Sequence, residues 1–196
     1  MTLPDKLTVS RVILTFFFMF FLFSGGVGSK TLALLTFIVA SFTDFLDGFI
    51  ARGRNISTDF GRLMDPIADK ILVLAAFLAF VEMKLVPAWM AVVIVLREIT
   101  VTGLRVLALT EKRIIAADLA GKQKMVSQVV TIVAVLVFII FREAGIKVFR
   151  FWTQSTERVY KDTIFVFMLI TVILTVISVI SYLVRNREVY SDAKKG

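Results

Sequence analysis

The chain has 196 residues, of which 58% are hydrophobic, and its formal net charge at pH 7 is +8. The single core of a small soluble domain cannot bury this apolar fraction, so the composition excludes an ordinary soluble protein and favours a bilayer environment. The chain has neither cysteine nor histidine, which excludes a disulfide framework, thiol chemistry and a histidine-based zinc site.

Apolar runs follow one another along the chain, and each approaches or exceeds the roughly 20 residues that a helix needs to cross the hydrocarbon layer. The runs are continuous rather than alternating, which favours helices over a closed β-barrel. The predicted spans are residues 8–24, 31–52, 62–82, 86–108, 125–141 and 163–184. We therefore predict an all-α integral membrane protein with about six transmembrane helices. No Pro-rich or Ser-rich linker separates them, so residues 1–196 are expected to form a single domain.

The N-terminus has a basic start and an apolar segment, which is followed by the small residues of "FSGGVGSK" (23–30). This arrangement resembles a secretory signal peptide only loosely, because the small residues make a poor cleavage site. We expect a retained first helix that is followed by a turn.

The excess of Lys and Arg fits either nucleic acid or an anionic membrane surface. In a membrane protein the second is the simpler interpretation, so we expect membrane lipids and no nucleic acid as partners. With a cytoplasmic N-terminus, six spans place most basic residues on the cytoplasmic side, as the positive-inside rule requires. The loop at 141–162 carries five basic residues on the opposite side and works against this orientation. We predict a multi-pass protein of the cytoplasmic (inner) membrane.

The stretch "SFTDFLDGFIARGRNISTDFGRLMDPIADK" (41–70) concentrates aspartates between apolar segments. Asp44 and Asp47 are three residues apart on the second predicted helix, and Asp65 and Asp69 are four apart on the third, so each pair shares one helix face. The short link makes these helices antiparallel neighbours. We therefore expect the four carboxylates to converge at one membrane face, and assign no chemistry to Asp59.

Four carboxylates beside lipid require neutralisation, for which a divalent cation is suited. An all-oxygen set of ligands favours Mg²⁺, Mn²⁺ or Ca²⁺, and four carboxylates suggest two ions. Gly48 and Gly61 leave space beside the carboxylates, while Arg52 and Arg62 supply positive charge for a metal-bound diphosphate. This combination at a water–lipid boundary indicates phosphoryl chemistry on a lipid.

The segments "DFLDGFIAR" and "GRLMDPIAD" fit the pattern D-x-x-D-G-x-x-A-R, a short gap, then G-x-x-x-D-x-x-x-D. By this pattern the chain resembles the CDP-alcohol phosphotransferases. "LPDKLTVSR", "LMDPIADK" and "REITVTGLR" extend the resemblance to the bacterial phosphatidylglycerophosphate synthase branch, over most of the chain to about residue 130. The chain departs from that branch at Asp5, where the branch usually has Asn, and at Met125, where it usually has Thr.

The resemblance implies transfer of a phosphatidyl group from CDP-diacylglycerol to sn-glycerol 3-phosphate, with Mg²⁺ or Mn²⁺ as cofactor, by a homodimer whose active site faces the cytoplasm. It implies that Asp69 is the general base that activates the acceptor hydroxyl. The implied metal ligands are Asp44, Asp47, Asp65 and, in addition to its role as base, Asp69. The implied residues of the CDP-diacylglycerol site are Gly48, Ala51, Arg52 and Gly61.

The phosphate of the acceptor needs its own cationic pocket. An arginine inside the fourth span must face the bundle and have a partner, which makes Arg97 the first candidate. Arg105 lies eight residues further on roughly the same face, and Lys122 and Lys124 could close the pocket from the next loop. The alternatives are an internal salt bridge between Arg97 and Glu98 and a headgroup-anchoring role for the other three residues.

Two other functions stay open. The same chemistry could use another acceptor, such as inositol phosphate, serine or phosphatidylglycerol, although a basic pocket favours a phosphorylated one. A cation transporter could also need membrane carboxylates, but it predicts acids near the bilayer centre in several spans.

Overall fold

The computed structural model describes residues 3–51, 59–110, 119–148 and 152–185. Within these ranges, the side chains at 3–8, 44–51, 59–69, 105–110 and 119–123 lie outside the described part. The described regular structure is entirely α-helical, which confirms the predicted all-α class. The helices are α1 (Leu3–Phe23), α2 (Val27–Ala51), α3 (Asp59–Glu82), α4 (Ala88–Thr110), α5 (Leu119–Lys147) and α6 (Gln154–Arg185).

Each predicted span coincides with one of these helices, but the helix ends differ from the predicted ends. The largest differences are at α5, which begins at Leu119 rather than at residue 125, and at α6, which begins at Gln154 rather than at 163. An apolar run marks the part of a helix that can lie in hydrocarbon. The helix itself continues through polar residues, because its backbone hydrogen bonds do not depend on side-chain polarity.

Two stretches among the described residues are long and apolar enough to cross a membrane, namely Lys124–Lys147 of α5 and Gln154–Arg185 of α6. Shorter apolar stretches, Val9–Phe23 and Val27–Thr43, lie in α1 and α2. Large apolar side chains are also exposed on several helices, for example Phe16 (73%), Phe42 (60%) and Ile99 (63%). The fold is therefore helical with apolar outer surfaces, and six crossings remain a prediction.

The helices pack around one apolar core. α1 lies against α2 and α3, α6 lies against α4 and α5, and contacts of α5 with α2 and of α4 with α3 join the two groups. Phe18 of α1 and Phe37 of α2 are fully buried with ring centroids 5.7 Å apart. Phe77 and Phe80 of α3 meet edge to face at 6.4 Å. The core thus fixes how α2, α3 and α4, which carry most of the predicted site residues, lie relative to one another.

The turn between α3 and α4 closes with a non-glycine residue in the left-handed region. Lys84 has φ 56°, its N–H donates to the Val81 carbonyl at 2.9 Å, and the Leu85 N–H donates to the Phe80 carbonyl at 3.0 Å. These two hydrogen bonds define a Schellman motif, which satisfies carbonyls at the end of a helix. Leu85 and Phe80 are both buried, which supplies the apolar contact that usually accompanies the motif.

In the basic loop at 141–162, which works against the predicted orientation, carboxylates pair with several of the cations. Glu157 Oε2 accepts from Arg142 Nε and from Trp152 Nε1, both at 2.8 Å, and Glu157 Oε1 is 3.5 Å from Lys161 Nζ. Glu143 likewise pairs with Lys147 Nζ at 2.6 Å. Much of the positive charge of this loop is therefore held in local ion pairs.

The same end of the bundle contains the turn between α1 and α2. Glu143 Oε1 accepts the Gly26 N–H at 3.0 Å, and the buried Lys30 donates its ammonium to the Leu22 carbonyl. Gly26 has φ 101°, a conformation that residues with a Cβ atom rarely adopt. The predicted turn in "FSGGVGSK" is confirmed, and Gly26 is the residue that makes it possible.

Gly26→Ala should therefore lower the free energy of unfolding by about 1–2 kcal/mol, the usual cost of a left-handed conformation for a residue with a Cβ atom. Gly28→Ala is the matched control. Gly28 lies inside α2, and a Cβ atom there meets nothing within 4 Å, so alanine should be neutral or stabilising. Thermal unfolding of both purified variants in detergent micelles measures the difference. Equal melting temperatures for the two variants would contradict the role of Gly26.

Candidate active site

The predicted metal ligands lie on two consecutive helices in contact. Asp44 and Asp47 lie in the C-terminal part of α2, and Asp65 and Asp69 lie in the N-terminal half of α3. Seven residues, 52–58, connect the two helices, which are in contact with each other. The backbone therefore brings both acidic segments to the same end of the bundle. Because the four side chains lie outside the described part, their convergence stays a prediction.

The donor chemistry of this set fits a hard divalent cation. Each of the four candidate ligands is a carboxylate, and Mg²⁺ and Mn²⁺ prefer oxygen ligands. Among the side chains that the structure describes, no group of three or more His, Cys, Asp or Glu lies together. Of the predicted CDP-diacylglycerol residues, Gly48 and Ala51 lie in α2 and Gly61 in α3, whereas Arg52 lies outside the described residues.

A buried carboxylate with cations around it occupies α4. Glu98 is 4% exposed. Its Oε1 accepts from the Lys124 ammonium and lies 3.4 Å from Arg97 Nη1, and its Oε2 lies 3.5 Å from Lys70 Nζ. The three cations come from α3, α4 and α5. We call Lys70, Arg97, Glu98 and Lys124 the Glu98 cluster.

Neutral side chains also contact this cluster. Gln128 Nε2 of α5 donates to Glu98 Oε1 at 3.4 Å, and Lys70 donates to the Thr102 hydroxyl one turn along α4. Arg97 Nη2 donates to Ser178 Oγ of α6 at 2.9 Å. The cluster thus ties four helices together by hydrogen bonds, and each bond from a charged group is stronger than a neutral one.

A small cavity adjoins the cluster. It measures about 40 Å³ and is lined by Lys70, Val73, Leu74, Glu98, Met125 and Gln128. Its polar wall is supplied by the charged and amide groups, and its apolar wall by the three remaining side chains. A cavity of this size with polar partners can hold ordered water, which needs ~10–15 Å³ of such volume.

Two of the four residues predicted for the acceptor pocket are brought together. Arg97 faces the bundle with 9% of its side chain exposed and pairs with Glu98, which confirms that an arginine at this position faces the bundle and has a partner. Lys124, which is 5% exposed, shares the carboxylate of Glu98 with it. Arg105 lies in α4 and Lys122 in α5, but their side chains lie outside the described part. The alternative salt bridge between Arg97 and Glu98 is also present, so the two interpretations are compatible.

The sequence interpretation missed Lys70 and Ser178. Lys70 directly follows Asp69, and the spacing of the aspartates carries no signal for the cation beside them. Ser178 belongs to a polar stripe of α6, with Thr171, Thr175 and Tyr182, whose spacings of four, three and four residues place them on one face. All four are buried, and the Thr171 hydroxyl meets that of Thr131 at 2.7 Å. A polar stripe in the otherwise apolar C-terminal part of α6 was the signal that could have revealed this face.

Comparison with known proteins gives the class. A family model described as CDP-alcohol phosphatidyltransferase matches residues 1–138, more than half of the chain. The chain belongs to this family, and the resemblance predicted from the aspartate motif is confirmed. The match includes the helices that carry the acidic segments and ends within α5, so α6 lies beyond it.

Three individual relatives align with about two thirds of this chain. The chain is 40% identical over 146 residues to a CDP-diacylglycerol–glycerol-3-phosphate 3-phosphatidyltransferase of Bacillus subtilis. The aligned region covers 68% of this chain and 76% of the relative. It is 37% identical over 133 residues to a probable phosphatidylglycerophosphate synthase of Mycobacterium tuberculosis, and the aligned region covers 66% of this chain and 63% of that relative. A CDP-diacylglycerol–glycerol-3-phosphate 3-phosphatidyltransferase of Haemophilus influenzae is 36% identical over 135 residues. The aligned region covers 66% of this chain and 72% of that relative.

Proposed function

We propose that this chain transfers the phosphatidyl group of CDP-diacylglycerol to sn-glycerol 3-phosphate, giving phosphatidylglycerophosphate and CMP in phospholipid biosynthesis. Family membership and the printed names of the relatives support the reaction. The complete aspartate motif across α2 and α3 supports the location of the chemistry. The enzyme is then a phosphotransferase that acts on a membrane lipid.

The Glu98 cluster is the observation that favours a phosphorylated acceptor. A phosphomonoester is a dianion near neutral pH, and Arg and Lys are the side chains that bind such groups through charge-assisted hydrogen bonds. Arg97 and Lys124 lie together beside Lys70, the residue that follows Asp69 on α3. A neutral acceptor such as serine would gain less from these cations, and a passing cation would be repelled by them.

The carboxylates supply the metal site and the base. Asp44, Asp47, Asp65 and Asp69 would hold two Mg²⁺ or Mn²⁺ ions, which when bound withdraw negative charge from the diphosphate and favour departure of CMP. Asp69 accepts the proton of the acceptor hydroxyl. The hydroxyl oxygen forms a bond to the β-phosphorus, and the bond from that phosphorus to the bridging oxygen of CMP breaks. In this scheme Gly48, Ala51, Arg52 and Gly61 line the CDP-diacylglycerol site, and Arg105 and Lys122 join Arg97 and Lys124 at the acceptor phosphate.

We also propose that the six helices cross the inner membrane with the active site at the cytoplasmic face, and that the protein is a homodimer. The length of α6 supports the placement. Glu157 near its start and Ser178 near its end are about 32 Å apart at 1.5 Å per residue, close to the ~30 Å thickness of the hydrocarbon layer. The Glu98 cluster, which contacts Ser178 of α6 through Arg97, then lies at one membrane face and the Glu157 ion pairs at the other.

The acceptor is tested with purified protein, CDP-diacylglycerol, Mg²⁺ and one radiolabelled acceptor at a time. We expect CMP release and a labelled lipid with glycerol 3-phosphate, and little product with serine, inositol phosphate or phosphatidylglycerol. Product with one of these three and none with glycerol 3-phosphate would replace the proposed acceptor. No CMP with any of the four would reject the phosphatidyltransferase, and ion flux in liposomes would then support a transporter.

Asp69→Asn should lower kcat by about 10²–10⁴-fold, the usual contribution of a general base, while CDP-diacylglycerol binding persists. Asp59→Asn is the matched control, because it makes the same change in the same acidic stretch at a residue with no assigned chemistry. CMP release and equilibrium binding of labelled CDP-diacylglycerol separate the two effects. Near-normal kcat in Asp69→Asn would show that this carboxylate is not the base.

The orientation can be tested directly because the natural chain has no cysteine. Ser155 and Arg185 are exposed residues near opposite ends of α6. In intact cells a membrane-impermeant maleimide should label Ser155→Cys from outside the inner membrane and should reach Arg185→Cys only after that membrane is permeabilised. The reverse pattern would invert the topology, and labelling of both in intact cells would show that α6 does not cross.

A further inference from the structure

Glu98 has a position that neither metal binding nor proton transfer explains. It lies on α4, away from the acidic segments of α2 and α3 in the chain, and it is nearly inaccessible. Its two oxygens are surrounded by donors: Lys124, Arg97 and Gln128 at Oε1, and Lys70 at Oε2. A carboxylate has about four lone-pair positions, so one side chain can serve all of these donors.

The cations around Glu98 could not hold one another in place. Three positive groups repel, and each Lys or Arg side chain loses considerable rotamer freedom when it is fixed. A shared carboxylate attracts all three toward one point and sets the spacing between them. Ser178 holds the second guanidinium nitrogen of Arg97 from the opposite side at 2.9 Å. The direction of the guanidinium is therefore set by α4 and α6 together.

We propose that Glu98 is a positioning residue for the acceptor, which holds Lys70, Arg97 and Lys124 as a preformed binding surface for a phosphomonoester. This inference rests on the proposed function and adds Lys70 to the acceptor pocket. Glu98 does not touch the acceptor, because a carboxylate would repel phosphate. It acts from behind the cations, so that no reorganisation is needed when the dianion arrives.

The inference makes acceptor binding, rather than lipid binding, depend on Glu98. In Glu98→Gln the negative charge is lost and an amide N–H₂ group is introduced among the cations, which should move apart toward water. The KM for glycerol 3-phosphate should rise at least ~10-fold, the scale of a lost charge-assisted hydrogen bond. The KM for CDP-diacylglycerol should stay within about 2-fold of wild type, because that site is formed by α2 and α3.

The experiment compares wild type, Glu98→Gln, Glu98→Asp and the control Glu143→Gln, each as the full chain in detergent micelles with both KM values and kcat measured. Glu98→Asp keeps the charge on a shorter side chain, so its acceptor KM should lie between wild type and Glu98→Gln. Glu143→Gln removes a carboxylate that holds a cation at the other end of the bundle, and should leave both KM values unchanged. Thermal unfolding of each variant shows whether it is folded and how stable it is.

The outcomes separate the inference from the function on which it rests. If wild type releases no CMP with glycerol 3-phosphate, the proposed function fails, and the inference fails with it. If wild type is active and Glu98→Gln loses only melting temperature and active fraction, with both KM values unchanged, Glu98 is merely structural and the inference alone is overturned. If Glu98→Gln does not fold, an unchanged acceptor KM in Glu98→Asp overturns it equally.

Discussion

The structure depends on a buried carboxylate that several cations share. Removing an ion from water costs several kcal/mol, and in a lipid-facing bundle that cost is recovered only through close partners. Glu98 provides such a partner for Lys70 of α3, Arg97 of α4 and Lys124 of α5. The contact is electrostatic, but its effect is geometric. Helices whose outer surfaces are apolar gain a fixed relative position from a buried carboxylate that they share.

At the opposite end of the bundle, carboxylates also pair with several cations, but there they stabilise the loop between α5 and α6 and the turn between α1 and α2. Glu157 pairs with Arg142 and Lys161 and accepts a hydrogen bond from Trp152. Glu143 pairs with Lys147 and accepts the Gly26 N–H. These groups are more exposed than the Glu98 cluster, so their bonds are worth less and the surrounding water screens them. They still reduce the effective positive charge of the loop. The positive-inside rule counts Lys and Arg rather than net charge, so these ion pairs do not change the prediction of orientation.

Long apolar runs allowed the number, order and type of the helices to be predicted, because a continuous run of that length has few other structures available to it. The burial of Arg97 followed from the cost of an isolated charge in a membrane helix, and its contacts with Glu98 and Ser178 confirm it. The helix ends were less predictable, since α5 and α6 extend through polar residues that no longer carry the apolar signal. The aspartate motif identified the family, whereas the arrangement of its side chains stays a prediction.

The partners of Lys70 and Ser178 could not be predicted from the sequence around each residue. Lys70 meets Thr102 across 32 residues of chain, and Arg97 meets Ser178 across 81. Contacts over such distances depend on how α3, α4 and α6 pack, and the pattern within one helix shows only which face is polar. This separation along the chain also has a consequence for biogenesis. Ser178 is synthesised 81 residues after Arg97, so Arg97 is made before this partner exists. Until α6 is made, the guanidinium of Arg97 lacks the hydroxyl of Ser178, while Glu98, the adjacent residue, is already present to pair with it.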